Sequence, residues 1–272
     1  MSAARGGRNP VSPLQPAAAG RRVVLLGASN LTRSFSRVVW LLRQMWESPI
    51  EIMAALGHGR SYGAASRVMF RELPGIRQCG IWAALAASPA KETYALVTDI
   101  GNDILYGAAC CQIAEWVEEC VDRLQRLSAH TTLTLLPVDN LLALERLRYY
   151  FFRTMSYPGC RLTLADACTR AGELNGSVRA IAAARGAAVV QQRPDWYGLD
   201  PVHIRGRDRQ RAWREILSKW PGGSAPAQRQ EASGRPLPLQ GLRPESRRLF
   251  DRVQLRRQPC KVLADGTSIS IY

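Results

Sequence analysis

The stretch from Arg21 to Ser34 reads R-R-V-V-L-L-G-A-S-N-L-T-R-S and joins a strand pattern to a helix pattern. Its four consecutive apolar residues, Val23–Leu26, are typical of a buried strand. Gly27 ends the run, and apolar side chains then recur at helical spacing up to Trp46. A strand that leads directly into a helix is the first half of a β-α-β unit, so this stretch predicts an α/β fold.

The same alternation continues along the chain. Further strands are predicted at residues 51–56, 94–98, 131–137 and 187–190. Helices are predicted at residues 64–72, 112–127, 141–154, 164–185 and 207–219. This order predicts a three-layer α/β/α sandwich around a sheet of about five parallel strands. In such sheets ligands bind at the carboxyl ends of the strands, so the residues that follow each strand are the candidates for a site.

The composition divides the 272 residues into one folded region and two flanks. Residues 1–20 are rich in Pro, Gly and Ala and are predicted to be a disordered tail. The alternating pattern occupies residues 21–220, and the Pro-, Gly- and Gln-rich residues 221–245 are predicted to form a linker. In the basic segment 246–272, Asp265-Gly266 lies between two apolar runs and indicates a β-hairpin.

The overall composition is that of a globular protein, with 46% apolar and 22% charged residues. No apolar run reaches the roughly 18 residues of a transmembrane helix. The N-terminus also lacks the apolar centre of a secretory signal. The seven cysteines are odd in number and have no CxxC spacing, which argues against a disulfide framework or a zinc site. These features predict a cytoplasmic protein without a bound metal.

The net charge of +15 could attract nucleic acid, an anionic membrane or an acidic substrate. Residues 221–272 contain nine basic and four acidic residues, so this fifth of the chain contributes +5. The sequence shows no recognition helix and no aromatic-basic repeat that would stack bases, so nucleic acid is not the expected partner. The loop G-H-G-R-S-Y-G at residues 57–63 lacks the Gly-Lys-Ser/Thr ending of a phosphate-binding loop, and no cofactor is predicted.

Small and polar residues follow four of the predicted strands. They are Gly27-Ala28-Ser29-Asn30 after the first strand, Gly57–Ser61 after the second, Gly101-Asn102-Asp103 after the third and Asp200-Pro201-Val202-His203 beyond the fifth. Because the carboxyl ends of parallel strands share one rim of the sheet, these four groups are expected to lie close together.

Their chemistry fits acyl transfer. The Ser29 hydroxyl requires a neighbouring base to become a nucleophile, and His203 can be that base. Asp200 can orient the imidazole, because side chains three residues apart share one face of a helical turn. The backbone N–H groups of Ser29 and Gly59 and the side-chain amide of Asn102 can stabilise the resulting oxyanion.

The four blocks in this order resemble the SGNH (GDSL-like) hydrolase superfamily over residues 21–220. The resemblance implies a flavodoxin-like fold and a metal-free esterase, lipase, thioesterase or deacetylase that acts on a small acyl ester. It implies Ser29 as nucleophile, His203 as base and Asp200 as its orienting acid. It also implies an oxyanion hole made by Ser29, Gly59 and Asn102.

Two positions depart from the family pattern. Ala28 stands where the family often has an acid before its serine, although that acid is not part of the triad. Ile100 stands where the family usually has a glycine two residues before the asparagine, and here Gly101 directly precedes Asn102.

Several neighbouring residues are candidates for substrate contact. Trp196 and Tyr197 precede the Asp200 turn and could form a wall of the acyl pocket, or could only hold a surface loop. His58 and Arg60 flank Gly59 and could contact substrate. The apolar and aromatic run at residues 147–152 is predicted to be core rather than a lid.

Two other functions stay open at this point. The chain could be a catalytically inactive scaffold or binding protein on the same fold, in which Ser29 only caps a helix. It could instead be a basic protein that associates with nucleic acid or another anion through its charge. Acyl length, the choice between ester, thioester and acetyl groups, and oligomeric state are not specified by the sequence.

Overall fold

A computed structural model describes residues 20–46, 49–127, 129–220, 238–239 and 241–272. The predicted disordered tail and most of the predicted linker lie outside the described residues. In chain order the strands are β1 Arg21–Leu26, β2 Ile50–Ala55, β3 Ser66–Val68, β4 Arg71–Leu73, β5 Thr93–Val97, β6 His130–Thr134, β7 Ala188–Val190, β8 Ser246–Leu249, β9 Arg252–Leu255, β10 Lys261–Val262 and β11 Ser268–Ile271. The helices are α1 Ser29–Met45, α2 Ile81–Ala87, α3 Asn102–Leu105, α4 Cys110–Gln125, α5 Val138–Leu142, α6 Arg146–Ser156, α7 Leu164–Ala184 and α8 Arg209–Leu217, with 3-10 turns at Ile76–Gln78 and Pro194–Trp196.

The central sheet has the strand order β10-β11-β2-β1-β5-β6-β7. All neighbouring strands in it are parallel except β10, which pairs antiparallel with β11. The predicted α/β sandwich is therefore confirmed. The sheet has seven strands rather than about five, because β11 pairs with the free edge of β2 and brings β10 with it.

Alternate side chains of β1 point into two separate cores, one on each face of the sheet. Val23 and Leu25 pack with apolar residues of α1 and α8. Val24 and Leu26 pack on the opposite face with apolar residues of α2, α4 and α7. Because both faces of β1 are covered, its sequence is a continuous apolar run rather than an alternating one.

The prediction of a helix at residues 64–72 is wrong. These residues form the antiparallel hairpin β3–β4, which turns at Met69 and Phe70. Met69 adopts a positive φ of 54°, which a helix interior does not allow. The hairpin is completed by β8 and β9, which pair beside β4 to make a second, four-stranded antiparallel sheet.

The C-terminal residues are part of the central sheet. Ile269 and Ile271 of β11 are buried in the same core as α1 and α8. The backbone N–H of Tyr272 donates to the carbonyl of Ala54 over 2.9 Å, which extends the pairing beyond β11. The Asp265-Gly266 turn joins β10 to β11. Among the described residues, no helix combines the length and the apolar character needed to cross a membrane.

Candidate active site

Three neighbouring strands of the central sheet end at the same level. Leu26 at the end of β1 pairs with Ala55 of β2 on one side and with Val97 of β5 on the other. The residues that follow these three strands therefore leave the sheet from one edge, where ligands bind in open α/β sheets.

Ser29, His203 and Asp200 form a continuous hydrogen-bonded chain at this edge. The Nε2 atom of His203 lies 2.9 Å from the Ser29 hydroxyl, and its Nδ1 atom lies 2.7 Å from Oδ2 of Asp200. This is the spacing at which an imidazole can take a proton from a hydroxyl while a carboxylate fixes the orientation of the ring.

Asp200 and His203 do not meet on a turn of helix, as the sequence suggested, because residues 199–203 form a series of bends. Instead, Oδ1 of Asp200 accepts hydrogen bonds from the backbone N–H groups of Val202 and His203, at 3.1 and 3.2 Å. Short polar side chains commonly stabilise turns in this way. The loop is thus folded around the carboxylate that orients the histidine.

Burial opposes ionisation of the Asp200 carboxyl, but the hydrogen bond and charge of His203 outweigh it. Together with the Val202 N–H and the charge of Arg33, they hold the pKa of Asp200 below its usual range. The Arg33 guanidinium lies 3.7 Å from Oδ2. Asp200 is therefore an anion at neutral pH, as an orienting acid must be.

Ser29 is the first residue of α1, so its backbone N–H has no partner within the helix. The preceding residue, Ala28, has no side chain that can cap the helix. Asp99, at the end of β5, does so instead: its Oδ2 accepts from the N–H groups of Ala28 and Leu31, at 3.0 and 3.1 Å. The hydroxyl of Ser29 is consequently not used as a cap and is available to His203.

Asn30 connects the nucleophile helix to the histidine loop. Its amide nitrogen donates to Oδ1 of Asp99 and to the carbonyl of Val202, both over 2.9 Å. Its amide oxygen accepts from the N–H of Ile204, also over 2.9 Å. Asn30 therefore holds both neighbours of His203, Val202 and Ile204. The residue before Asn30 is Ser29, whose hydroxyl contacts His203.

The loops that follow β2 and β5 contact each other beside Gly59. The Asn102 amide nitrogen donates to the carbonyl of Arg60 over 3.2 Å, next to Gly59. Gly59 has a φ of +63°, and a Cβ atom there would lie 2.8 Å from a methyl carbon of Val68. Both the backbone conformation and the space available therefore require glycine at this position.

Two tyrosines fix these groups. The Tyr157 hydroxyl donates to the Asn102 amide oxygen over 2.9 Å, which fixes the orientation of the amide. The Tyr106 hydroxyl donates to the Gly59 carbonyl over 2.6 Å. Burial raises the pKa of Tyr106 to about 12 and also raises that of Tyr157, so both remain protonated donors.

The buried carboxylate of Asp103 stabilises the loop that follows β2. Asp103 accepts hydrogen bonds from the Ser61 hydroxyl and from the backbone N–H of Tyr62. Ser61 in turn accepts from the N–H groups of Gly63 and Ala64, at 3.1 and 2.8 Å. Asp103 therefore braces the loop that follows β2.

Three further sequence-based candidates do not reach substrate-accessible surface. Trp196 and Tyr197 are buried in the core on the α1 side of the sheet, where the Tyr197 hydroxyl bonds to Gln192. The carbonyl of Trp196 accepts a hydrogen bond over 2.9 Å from the N–H of Arg205, two residues beyond His203. Arg60 is fully buried, and its guanidinium donates to the carbonyls of Leu56, Pro74 and Tyr272.

His58 is exposed, and it is close enough to His203 to be influenced by its charge. Partial desolvation and the charges of Arg71 and Arg33 lower the pKa of His58. It is thus a neutral imidazole near the site at pH 7.

The prediction that residues 147–152 belong to the core is wrong for most of the run. Only Tyr149 is buried, while Leu147 and Phe151 of α6 are exposed. Arginines alternate with apolar residues along this helix, and this pattern indicates that one face of the helix is exposed to solvent.

Sequence reasoning missed Asp99, Asn30 and Tyr157. The position of Asp99 directly after a strand and next to G-N-D was a usable signal, because such positions face the ligand edge. Tyr157 lies 55 residues from Asn102, and no local pattern links the two. Within the described ranges, no cluster of three or more His, Cys, Asp or Glu side chains could hold a metal ion.

Comparison with known proteins found no matching family model and no matching curated protein. Solved structures do match. A carbohydrate acetylesterase family member from Sinorhizobium meliloti has a TM-score of 0.50 at 15% identity, over 72% of this chain and 95% of that one. An aryl esterase from M. smegmatis has a TM-score of 0.49 at 13% identity, over 72% of this chain and 100% of that one.

A psychrotrophic esterase, EstA, from Pseudoalteromonas has a TM-score of 0.46 at 15% identity, over 73% of this chain and 97% of that one. At these identities the similarity is one of fold, and for the acetylesterase family member it extends over nearly the whole of that chain. The α/β fold expected from the sequence is therefore the fold observed, and it is similar to that of this acetylesterase family member.

Proposed function

We propose that the protein is a serine hydrolase that cleaves a carboxylic ester, or a related acyl bond, through an acyl-enzyme. The observation that supports this most is the pair of hydrogen bonds that His203 makes, 2.9 Å to the Ser29 hydroxyl and 2.7 Å to the Asp200 carboxylate. An inactive scaffold would not require a nucleophile, a base and an orienting acid in this order. The esterase fold neighbours agree with the proposal at the level of architecture.

In the first half-reaction, the Ser29 oxygen attacks the acyl carbon while its proton passes to Nε2 of His203. Asp200, an anion held against Nδ1, stabilises the imidazolium that forms. The imidazolium then protonates the leaving alcohol as the bond to the acyl carbon breaks. The products of this step are the free alcohol and an ester between the acyl group and Ser29.

In the second half-reaction, water takes the place of the alcohol. His203 accepts a proton from the water as its oxygen attacks the acyl-serine, and it returns that proton to the Ser29 oxygen as the acid leaves. Both half-reactions pass through a tetrahedral oxyanion. The donors proposed for it are the N–H of Ser29, the N–H of Gly59 and the Asn102 amide, whose orientation Tyr157 fixes.

The proposal is tested by hydrolysis of p-nitrophenyl acetate by the wild type and by Ser29→Ala. We expect the variant to lose at least about 10⁴-fold in kcat, because triad residues act as a unit. Ser218→Ala is the matched control, since Ser218 is exposed beyond α8 and its hydroxyl bonds only to the carbonyl of Glu215. Equal activity of wild type and Ser29→Ala would refute the assignment.

A further inference from the structure

The second sheet projects a cluster of exposed apolar side chains. The β3–β4 turn and the β8–β9 turn lie side by side, and the N–H of Phe250 donates to the carbonyl of Phe70 over 3.0 Å. The two phenyl rings stack with centroids 4.8 Å apart. Met69, Phe70 and Phe250 are nevertheless 81%, 54% and 62% exposed. We refer to these three residues as the apolar tip.

The backbone of the apolar tip is unusual for the residues it contains. Met69 and Phe250 have positive φ values of 54° and 48°, and Asp251 follows at 58°. Glycine or asparagine would adopt this conformation at lower cost than a large apolar residue. Large exposed side chains at strained turns indicate a contact with something outside the chain rather than a requirement of folding.

The sheet that carries the apolar tip is rich in basic residues. The segments 66–73 and 246–257 contain seven arginines and only two acids, a net charge of +5. Two of the arginines pair with those acids, at 3.4 and 3.6 Å; the pairs are Arg67–Asp251 and Arg248–Glu72. In the part of the chain that the structure describes, no carboxylate lies within 4 Å of the other five, which are Arg71, Arg247, Arg252, Arg256 and Arg257.

The tip borders the candidate active site. Val68, which precedes Met69, lies against Gly59, because a Cβ on that glycine would be 2.8 Å from a Val68 methyl carbon. The Tyr106 hydroxyl also contacts Gly59, and the Tyr106 ring packs edge-on against Tyr157, at the end of α6. The rim of the site is therefore continuous from the tip to α6.

Helix α6, on the far side of this rim, has the same character. Leu147, Phe151 and Met155 recur every four residues and are 85%, 61% and 72% exposed. The helix also contains three arginines and no acidic residue. A helix with an exposed apolar stripe and only basic charge is typical of segments that lie in a membrane interface.

We infer that the apolar tip inserts into the surface of an anionic phospholipid bilayer, where arginines of the second sheet contact the phosphate headgroups. This insertion would hold the edge that carries the candidate active site against the membrane. Arginine forks match phosphate oxygens, and anionic leaflets attract basic segments. A nucleic acid would satisfy the charge but would offer no apolar interior to Met69, and the two phenyl rings are already stacked on each other. The inference does not require Ser29 to react.

The test uses the full chain with Ser29→Ala, so that binding is measured without turnover. Its partition is measured by co-sedimentation with vesicles of phosphatidylcholine alone, and with vesicles that contain about one third phosphatidylglycerol. We expect partition into the anionic vesicles, weakened by salt. Adding Phe70→Ser and Phe250→Ser should lower that partition at least about tenfold, because burial of apolar side chains contributes to interfacial binding.

Val262→Ser is the matched control, since Val262 is equally exposed but lies on β10, at the amino end of the central sheet. It should leave partition unchanged. Hydrolysis of p-nitrophenyl acetate by the tip variant with Ser29 intact, together with its melting temperature, confirms that the variant folds.

Two results would overturn the inference. One is an absence of binding to the anionic vesicles, or binding that the folded tip variant retains in full. The other is binding to a single-stranded oligonucleotide that the tip variant loses while vesicles bind neither protein, which would assign the surface to nucleic acid.

Discussion

Asn30 is the residue whose contacts best explain how the candidate triad is assembled. Its single amide spans Asp99 of the β5 end and both neighbours of His203 in the histidine loop. Because Ser29 and Asn30 are adjacent in α1, the same turn of helix presents the hydroxyl that contacts His203 and holds the loop that carries His203. Preorganisation of this kind contributes to rate, since displacements of about 1 Å can cost about 10²-fold.

We predict that Asn30→Ala lowers kcat for p-nitrophenyl acetate by roughly 10- to 100-fold at a temperature well below melting. It should also destabilise the fold, because three hydrogen-bonding groups, one buried and two partly buried, lose their partner. The control is Asn175→Ala in α7, another buried asparagine, whose amide bonds to both backbone groups of Leu136. A similar loss of stability with unchanged kcat in both variants would show that Asn30 is structural only.

Asp103 provides a prediction about pH. Burial raises the pKa of its carboxyl above the ordinary value, although hydrogen bonds from Ser61 and Tyr62 oppose this. A folded-state pKa above the unfolded one means that folding favours the protonated acid. Its contribution to stability is therefore greatest below the unfolded value of about 4 and is lost as the pH rises through the folded value.

The free energy of unfolding of the wild type should consequently improve relative to that of Asp103→Asn as the pH falls from 7 towards about 4. Urea unfolding of both proteins across this range measures the difference, and the titration of all other groups cancels between them. A difference that stays constant, or that moves in favour of the variant at low pH, would show that the folded-state pKa is not raised.

At the scale of secondary-structure elements, the C-terminal strand illustrates a contact that sequence patterns do not reveal. β11 joins β2 in parallel across more than 200 residues, although the local sequence S-I-S-I indicates only a short strand. Its two isoleucines are completely or almost completely buried between the sheet and α1. The segment is thereby part of the hydrophobic core.

Ile269→Ala should therefore lower the free energy of unfolding by about 2–5 kcal/mol, the usual cost of truncating a buried aliphatic side chain. Val262→Ala, in the adjoining strand β10, removes an exposed side chain and should change it by less than about 0.5 kcal/mol. Equal effects of the two substitutions in urea unfolding would show that β11 does not contribute to the stability of the sheet.

The elements with a strong local pattern were predictable. The strands of the central sheet from β1 to β7 and the helices α1, α4, α7 and α8 follow apolar runs and helical spacing, so their predicted positions agree with the structure within a few residues. The single helix predicted at residues 141–154 is instead two helices, α5 and α6, which residues 143–145 separate. The hairpin β3–β4 was predicted as a helix, because Ser66–Leu73 is short and its strand character depends on pairing with β8. Pairing partners distant in the sequence, as for β8 and β11, leave no local trace.

The candidate site shows the same division at the scale of the whole molecule. Its blocks were predictable because the carboxyl ends of parallel strands lie at one edge of a sheet. The burial of Trp196 and Tyr197 was not predictable, because a position next to a site in the sequence does not reveal whether a side chain points towards solvent or towards the core. The basic charge of residues 66–73 and 246–257 indicated a binding surface only once the structure placed both segments in one sheet.

We propose that His203 activates Ser29, and the reactivity of this serine can be measured by covalent labelling. The measurement is the intact mass of the protein after exposure to a fluorophosphonate, followed by peptide mapping, for the wild type, Ser29→Ala and His203→Ala. We expect one label per chain on Ser29 in the wild type, no label in Ser29→Ala, and strongly slowed labelling in His203→Ala. An unlabelled wild type, or equal labelling of Ser29→Ala, would show that Ser29 is not an activated nucleophile.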